Sequence, residues 1–143
     1  MRIVIDTNLI FSLLVSKNEK ILRIIFDDRF YIASTNHLIV ELFKHKERIA
    51  RYSRLTESEI LELLLKILEN VEIVPYRSIP QVFRERAFSI LKSCDIKDVP
   101  FLALSFAIEA KLWTGDRKLK KCLDRQGIEI CISVEELVRL QDS

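Results

Sequence analysis

The chain has 143 residues, of which 49% are hydrophobic and 31% are charged, a length and mixture typical of one globular domain, residues 1–143, and not of a disordered chain. Its 23 Lys and Arg residues against 21 Asp and Glu residues give a formal net charge of +2, which is too small to indicate a nucleic-acid binder from bulk charge alone. The apolar run near the N-terminus is too short to span a bilayer and follows no signal-peptide pattern, so we expect a cytoplasmic protein without membrane contact.

Three cysteines lie far apart in the sequence: Cys94, Cys122 and Cys131. None belongs to a CxxC pair, so the spacing indicates neither a zinc site nor a disulfide framework. We therefore expect reduced cysteines within the core.

The first predicted element is a buried strand that ends at an acid. Ile3, Val4 and Ile5 are consecutive β-branched residues, a pattern typical of a strand covered on both faces in a parallel sheet. Asp6 follows directly. Ligands of open α/β sheets sit beyond the carboxyl ends of the strands, so Asp6 is either a ligand-site residue or simply a cap of the next helix.

The first half of the chain continues as helices separated by short strands. Apolar spacing and capping patterns predict a helix over Leu9–Val15, a capping box over Ser16–Glu19 that opens a second helix, a strand over Phe30–Ala33, one helix from His37 to about Tyr52, a capping box over Thr56–Glu59 that opens another helix, and a strand over Glu72–Tyr76. Glu41 lies on the apolar stripe of the His37–Tyr52 helix, where a charge without a partner is costly to bury.

The second half repeats this alternation. Pro80 suits the first turn of a helix, and residues 101–110 are apolar on almost every side, which predicts a central buried helix that begins near Pro100. The remaining predicted elements are a strand over Lys111–Thr114, a helix over Arg117–Gln126 with Gly127 at its C′ position, a strand through Ile128, Ile130 and Ile132, and a last helix behind the capping box Ser133–Glu136. Strands that alternate with helices predict a parallel sheet with right-handed crossovers and helices on both faces.

Four acids occupy special places in this pattern. Asp6 ends the first strand, Glu41 lies on an apolar helix face, Asp98 precedes the buried helix, and Asp116 follows the fourth strand. If strands one and four are neighbours, these acids converge at one edge of the sheet, and Asp95 can join them. Taken singly, Asp98 and Asp116 are as well explained as helix caps.

Converged carboxylates without matching bases repel one another and raise each other's pKa, which argues against a purely structural cluster. A hard divalent cation relieves this repulsion. Oxygen ligands favour Mg²⁺ or Mn²⁺ over Zn²⁺, and such ions support hydrolysis of phosphodiester bonds.

The chain resembles the PIN domain family in four segments taken in order. These are Val4-Ile5-Asp6-Thr7-Asn8, Ile39-Val40-Glu41-Leu42, Asp95-Ile96-Lys97-Asp98 and Trp113-Thr114-Gly115-Asp116-Arg117-Lys118-Leu119. Each segment is short, but their order and spacing span essentially the whole chain. The resemblance implies a three-layer α/β/α sandwich with a mainly parallel sheet of four or five strands, and a Mg²⁺- or Mn²⁺-dependent ribonuclease.

The resemblance also implies residue roles. Asp6, Glu41, Asp98 and Asp116 form its acidic quartet, with Asp6, Asp98 and Asp116 as metal ligands. Asn8 and Thr114 support the ligands or a water molecule, and Asp95 is an additional acid. Family members of this length are often VapC-like toxins that form homodimers and are inhibited by a small antitoxin protein.

RNA contacts are expected from basic residues that follow the last acid: Arg117, Lys118, Lys120 and Lys121. A second basic segment runs from Lys44 to Arg54, and we weigh phosphate binding there equally with a solvated helix face.

Three other functions compete with a toxin nuclease. The chain can be a PIN-like module that binds RNA or a partner with little catalysis, or a stand-alone RNA-processing nuclease. An aspartate after the first strand also begins phosphatases of the haloacid-dehalogenase type, but these need a second aspartate two residues later, and this chain has Asn8 there.

Overall fold

The first strand is the centre of a five-stranded sheet in a computed structural model that describes residues 1–143. The strands are β1 (Arg2–Ile5), β2 (Tyr31–Thr35), β3 (Val71–Val74), β4 (Lys111–Trp113) and β5 (Cys131–Ile132). Their spatial order is β3-β2-β1-β4-β5, and all four pairings are parallel. The predicted parallel sheet is confirmed, and so is the adjacency of the first and fourth strands.

Nine helices connect and cover these strands. They are α1 (Thr7–Ser16), α2 (Glu19–Ile25), α3 (Asn36–Lys44), α4 (Lys46–Tyr52), α5 (Glu57–Glu69), α6 (Gln81–Leu91), α7 (Val99–Ala107), α8 (Arg117–Arg125) and α9 (Val134–Asp142). Short 3₁₀ turns occupy Tyr76–Ser78 and Ile96–Asp98. No helix combines the length and the apolar character needed to cross a lipid bilayer.

The helices form the two outer layers of an α/β/α sandwich. Helix α1 contacts α3, α4 and α5, whereas α7 lies against β1, β2 and β4 and is covered by α6. Right-handed crossovers place these two groups on opposite faces, because the chain moves from β1 toward β3 and later returns to β4 on the other side of β1. The expected three-layer sandwich is confirmed.

The interior explains the apolar runs in the sequence. Ile3, Val4 and Ile5 are completely buried, as the continuous β-branched run predicts. Trp113 on β4 is also completely buried. Helix α7 is buried along Val99–Ser105 and becomes partly exposed only at its end, which agrees with its apolar character on almost every side.

Two predicted helix boundaries are wrong. Asn18, not Ser16, caps α2, because the Asn18 side chain accepts the amides of Lys20 and Ile21 while the Ser16 hydroxyl donates to Ser12 within α1. An asparagine two residues after the serine is an equally good cap.

The helix expected over residues 37–52 divides at His45, whose backbone (φ −103°, ψ 13°) lies outside the helical region between α3 and α4. The apolar stripe continues through the break, so periodicity alone did not reveal it. The capping boxes at Thr56 and Ser133 are both present, and Gly127 has the positive φ of 73° expected after α8.

Strand ends also differ from the predicted bounds. Strand β2 is Tyr31–Thr35 instead of Phe30–Ala33, β3 ends at Val74 instead of Tyr76, and β5 is reduced to Cys131–Ile132. Ser34 and Thr35 extend β2 because both are completely buried beside β1, and the Ser34 hydroxyl donates to the carbonyl of Ile5 over 2.8 Å.

The expectation of reduced cysteines is wrong for two of the three. Cys94 and Cys122 form a disulfide with a Cα–Cα distance of 6.4 Å, whereas Cys131 is free and half-buried. The paired cysteines are 28 positions apart in the sequence. The chain between them runs through α7 and β4 and returns along α8, so separation in sequence does not measure their distance in space.

Candidate active site

The acids lie at the carboxyl ends of β1 and β4, where strands that follow one another in the sequence are added on opposite sides of β1. Ile5 of β1 is paired with Trp113 of β4, and the Asp6 amide donates to the Trp113 carbonyl over 3.4 Å. The next strand in sequence after β1 lies on its other side. Asp6 and Thr114 therefore flank the switch point of the sheet, the usual place for a ligand site in this architecture.

One pocket of about 320 Å³ brings the predicted acids together. All five acids named from the sequence line it, together with Asn8: Asp6, Glu41, Asp95, Asp98 and Asp116. Thr114 lies at its edge, where its hydroxyl accepts the Asp116 amide over 3.0 Å. We call this space the acid pocket.

Asp6 is both a helix cap and an acid of this pocket. It precedes α1, and its Oδ1 accepts the Leu9 amide over 3.2 Å, which is the capping geometry expected for the first turn. Its Oδ2 is buried without a hydrogen-bond partner, and the residue is only 2% exposed. The cap thus orients the carboxylate and leaves one oxygen free for a ligand.

Asp116 and Asp98 are held by different means. The Asp116 Oδ1 caps α8 through the amides of Lys118 and Leu119, at 2.9 and 3.2 Å. Asp98 precedes α7, and its side chain makes no capping hydrogen bond. The residue is nevertheless only 8% exposed. Asp98 therefore has little compensation for burial.

Glu41 is held by Thr7, the residue that follows Asp6 at the start of α1. The Thr7 hydroxyl donates to Glu41 Oε1 over 2.9 Å, and Thr7 itself is buried. Helix α3, which the Thr35 side chain caps, carries Glu41 on the turn that faces α1. No local pattern in the sequence links Thr7 to a residue 34 positions away.

Burial and the charges of neighbouring acids raise the pKa of Asp98. Burial, followed by the charges of Asp6, Asp95, Asp116 and Glu41, raises the pKa of Asp98 to about 7. The mutual repulsion predicted from the sequence therefore acts on Asp98.

Asp6 is affected in the same direction. Burial raises its pKa to about 6, with smaller increases from Asp116 and Glu41. The Leu9 amide lowers it, and so does the nearby Thr114 hydroxyl, although that hydroxyl makes no hydrogen bond to Asp6 in the structure. A positive charge placed among these groups offsets the repulsion between their carboxylates.

The donor set fits a hard divalent cation. The pocket supplies carboxylate oxygens, and Asp6 Oδ2 lacks any other partner, which suits Mg²⁺ or Mn²⁺ better than a thiolate-seeking ion. No three acidic, histidine or cysteine side chains converge closely enough to form a closed ligand set. Mg²⁺ sites commonly use one or two carboxylates and retain several water molecules, so ligation partly through water matches this arrangement.

The basic residues are divided between two surfaces. Lys118 and Lys121 line a groove next to the acid pocket, and the two spaces share Asp95 and Asp116. The other two predicted RNA contacts, Arg117 and Lys120, are exposed on α8 and line neither space. The structure brings only two of the four to the neighbourhood of the acids.

Sequence reasoning left other pocket residues unassigned. Arg48, Lys97 and His45 line the acid pocket with Phe11, and the Arg48 guanidinium lies 5.3 Å from the centre of the Phe11 ring. Arg48 belongs to the basic segment for which a solvated face was weighed equally with phosphate binding. Arg48 lies on α4, the helix that begins after the break at His45, which was not predicted.

Comparisons with known proteins agree with this geometry. The chain matches the model of one protein family, described as PIN domain, over residues 4–130. No curated protein matches it.

Two solved structures are similar in fold. The first, VapBC2 from Rickettsia felis bound to a DNA fragment from its promoter, has a TM-score of 0.68 at 16% identity, and the alignment covers 93% of this chain and 97% of the other. The second, PAE2754 from Pyrobaculum aerophilum, has a TM-score of 0.69 at 19% identity and covers 100% of this chain and 91% of the other. At these identities the similarity establishes the fold.

The raised pKa values of Asp6 and Asp98 predict an unusual dependence of stability on pH. A carboxyl whose pKa is higher in the folded than in the unfolded chain stabilises the fold below the unfolded value, and this contribution is lost as the pH rises through the folded value. For Asp6 the loss therefore spans about pH 4 to 6, and for Asp98 about pH 4 to 7.

Without divalent cations, Asp6→Asn should therefore be more stable than the wild type at pH 8, by roughly 2–3 kcal/mol for a pKa raised from 3.8 to about 6. Asparagine retains the cap. Urea unfolding in EDTA at several pH values measures the difference, and Asp116→Asn, at a more exposed cap, is the matched control with a smaller effect. Equal stability of Asp6→Asn and the wild type at pH 8 would contradict the raised pKa of the Asp6 carboxyl.

Proposed function

The chain belongs to the PIN domain family, and from this premise we propose that it is a Mg²⁺- or Mn²⁺-dependent endoribonuclease that acts as the toxin of a toxin–antitoxin pair. PIN domains are nucleases, and the family generally uses divalent metal ions. The observation that carries the proposal is the free, buried Oδ2 of Asp6 beside Asp98, in a pocket where burial and the neighbouring carboxylates raise the pKa of both residues. A buried cluster of this kind is costly unless a cation binds there.

Asp6, Asp98 and Asp116 would hold the metal ion, directly or through water. A divalent cation in such a site stabilises charge on a phosphate and lowers the pKa of a nearby water. Asp6 is set by its capping bond to Leu9, and Asp116 by its bonds to the first turn of α8. These two acids therefore enter the reaction with little freedom to reorganise.

Glu41 orients the attacking water and accepts its proton. Its Oε1 is engaged by the Thr7 hydroxyl, which fixes the carboxylate and leaves Oε2 for the water. Asn8 and Thr114 support the ligands at the rim, and Asp95 adds negative charge beside Asp98. When the water attacks the phosphorus, the bond from phosphorus to the 3′ oxygen of the ribose breaks, and that oxygen takes up a proton from solvent. The products are a 3′-hydroxyl and a 5′-phosphate.

RNA binding is assigned to the basic residues of α8, the helix that follows the last acid. Arg117, Lys118, Lys120 and Lys121 are proposed phosphate contacts, and the positions of Lys118 and Lys121 in the adjoining groove support this best. Contacts of this kind position RNA without selecting a base sequence.

An apolar groove supports the assignment of a protein partner. It has a volume of about 830 Å³ and lies between α3, α4 and α5, with Phe43, Leu61 and Ile39 among its lining residues. Phe43 is 68% exposed and Leu61 is 56% exposed, and an exposed apolar surface of this kind is typical of a protein contact. We assign the groove to an amphipathic helix of a small antitoxin. A second copy of the chain, forming a homodimer, is the other proposed partner.

Cleavage of a fluorescent single-stranded RNA tests the enzyme directly. We expect the wild type to cleave it in Mn²⁺ and not in EDTA, Asp6→Asn to lose cleavage, and Glu41→Gln to lose about a hundredfold in rate, the scale of one general base. Asp28→Asn, at an exposed acid remote from the pocket, is the control variant and should cleave normally.

Full cleavage by Asp6→Asn purified in parallel would contradict the site. RNA binding by the wild type in Mn²⁺ without any cleavage would favour the alternative of a PIN-like binding module.

Growth of a bacterial host tests the toxin and its partner together. We expect the wild-type chain to arrest growth, and co-expression of the product of a short reading frame next to its gene to restore growth. Phe43→Glu places a charge in the apolar groove and should arrest growth even with this product present, because the two proteins no longer bind.

Phe88→Glu alters a similarly exposed phenylalanine on α6, outside the groove, and should be rescued like the wild type. Absence of growth arrest by an active nuclease would instead favour the stand-alone RNA-processing enzyme.

A further inference from the structure

The Cys94–Cys122 disulfide joins the two segments that carry acids of the pocket. Cys94 directly precedes Asp95 and is followed four residues later by Asp98. Cys122 lies on α8, six residues after Asp116, the acid that caps this helix. The bridge therefore connects the entry to α7 with the helix that begins at the last acid of the quartet.

The bridge also lies beside the acid pocket. Both cysteines line the groove that contains Lys118 and Lys121, and this groove shares Asp95 and Asp116 with the acid pocket. The bridge and two acids of the proposed metal site therefore line the same groove.

The segment before α7 has few other attachments to α8. Residues 92–97 are exposed, whereas Asp98 is buried. The hydrogen bonds of this segment are local: the backbone amide of Cys94 donates to the Leu91 carbonyl, that of Lys97 to the Asp95 side chain, and that of Asp98 to the Asp95 carbonyl. One hydrogen bond joins α8 to the end of α6, close to this segment. The side-chain amide of Gln126, the residue after α8, donates to the Ile90 carbonyl over 2.9 Å. The disulfide is the covalent link between the two sides.

The remainder of α7 does not depend on this link. Its residues Val99–Ser105 are buried against the sheet, so the helix is held by packing whether or not the bridge is intact. Opening of the bridge therefore frees the exposed entry segment and Asp98 at its end, rather than the core.

We propose that the Cys94–Cys122 disulfide is a positioning element of the acid pocket, which holds Asp98 in register with Asp116 so that reduction of the bridge weakens divalent-cation binding. This role rests on the proposed metal-dependent function. It makes the site sensitive to the thiol redox state of its surroundings. Residues that orient metal ligands typically change metal affinity by about 10- to 100-fold when lost, and we expect about tenfold here because α7 retains its packing.

A dithiol reductant can open the bridge by exchange. Cys94 is exposed whereas Cys122 is buried, so the attacking thiolate reaches the Cys94 sulfur, the S–S bond breaks, and Cys122 leaves as a thiolate that takes up a proton. The second thiol of the reductant then displaces Cys94 as a thiol. The protein gains two electrons and two protons, and the reductant becomes a disulfide.

The test compares Mn²⁺ affinity in the two redox states. Titration of thiols in the unfolded, unreduced chain should give one free thiol, that of Cys131, and three after reduction. Mn²⁺ binding is then measured by electron paramagnetic resonance on oxidised wild type, on wild type reduced with dithiothreitol and desalted under nitrogen, and on the Cys94→Ser/Cys122→Ser double variant. Cys131→Ser is the control variant, which retains the bridge.

We expect reduced wild type and the double variant to bind Mn²⁺ about tenfold more weakly, and Cys131→Ser to bind it like the oxidised wild type. Three free thiols before reduction would overturn the proposal. Equal Mn²⁺ affinity in folded oxidised and reduced protein, even with a lower unfolding temperature, would also overturn it and leave the proposed function intact. If oxidised wild type binds no Mn²⁺, the proposed function fails and the positioning role fails with it.

Discussion

Repulsion between buried carboxylates is the constraint on which this structure depends. Asp6 and Asp98 are nearly excluded from solvent, and this burial, together with the charges of the surrounding acids, raises their pKa values toward neutrality. The fold tolerates the free-energy cost of these buried charges because two well-packed elements hold the acids in place: β1 ends just before Asp6, and α7 begins after Asp98. Packing of α7 and of the completely buried residues Ile3–Ile5 of β1 offsets what the acids lose.

In the proposed site, the same carboxylates serve for helix capping and for metal binding. From the sequence, a cap and a metal ligand were competing explanations for Asp6 and Asp116, yet each uses one oxygen, Oδ1, to cap a helix. The cap fixes the carboxylate plane and directs the second oxygen into the pocket. A strand-end acid that caps the following helix is therefore well suited to a site that needs preset ligands.

The sequence predicted the features that arise from strong local patterns. The buried run of Ile3–Ile5, the alternation of strands and helices and the position of the acids at strand ends led to the parallel sheet and to five acids in one pocket. Features that depend on distant contacts were missed: the Thr7–Glu41 hydrogen bond spans 34 residues, and the Cys94–Cys122 bridge spans 28. The helix break at His45 was missed because the apolar stripe continues across it.

The central claim is that Asp6 and Asp98 are held in a repulsive pocket that a divalent cation relieves. Carboxyl ¹³C NMR titration of both residues, with and without Mg²⁺, measures this without relying on catalysis. The account predicts apparent pKa values near 6 to 7 in the metal-free protein and a clear fall of both when Mg²⁺ is added. Ordinary aspartate values without Mg²⁺, or raised values that Mg²⁺ leaves unchanged, would contradict it.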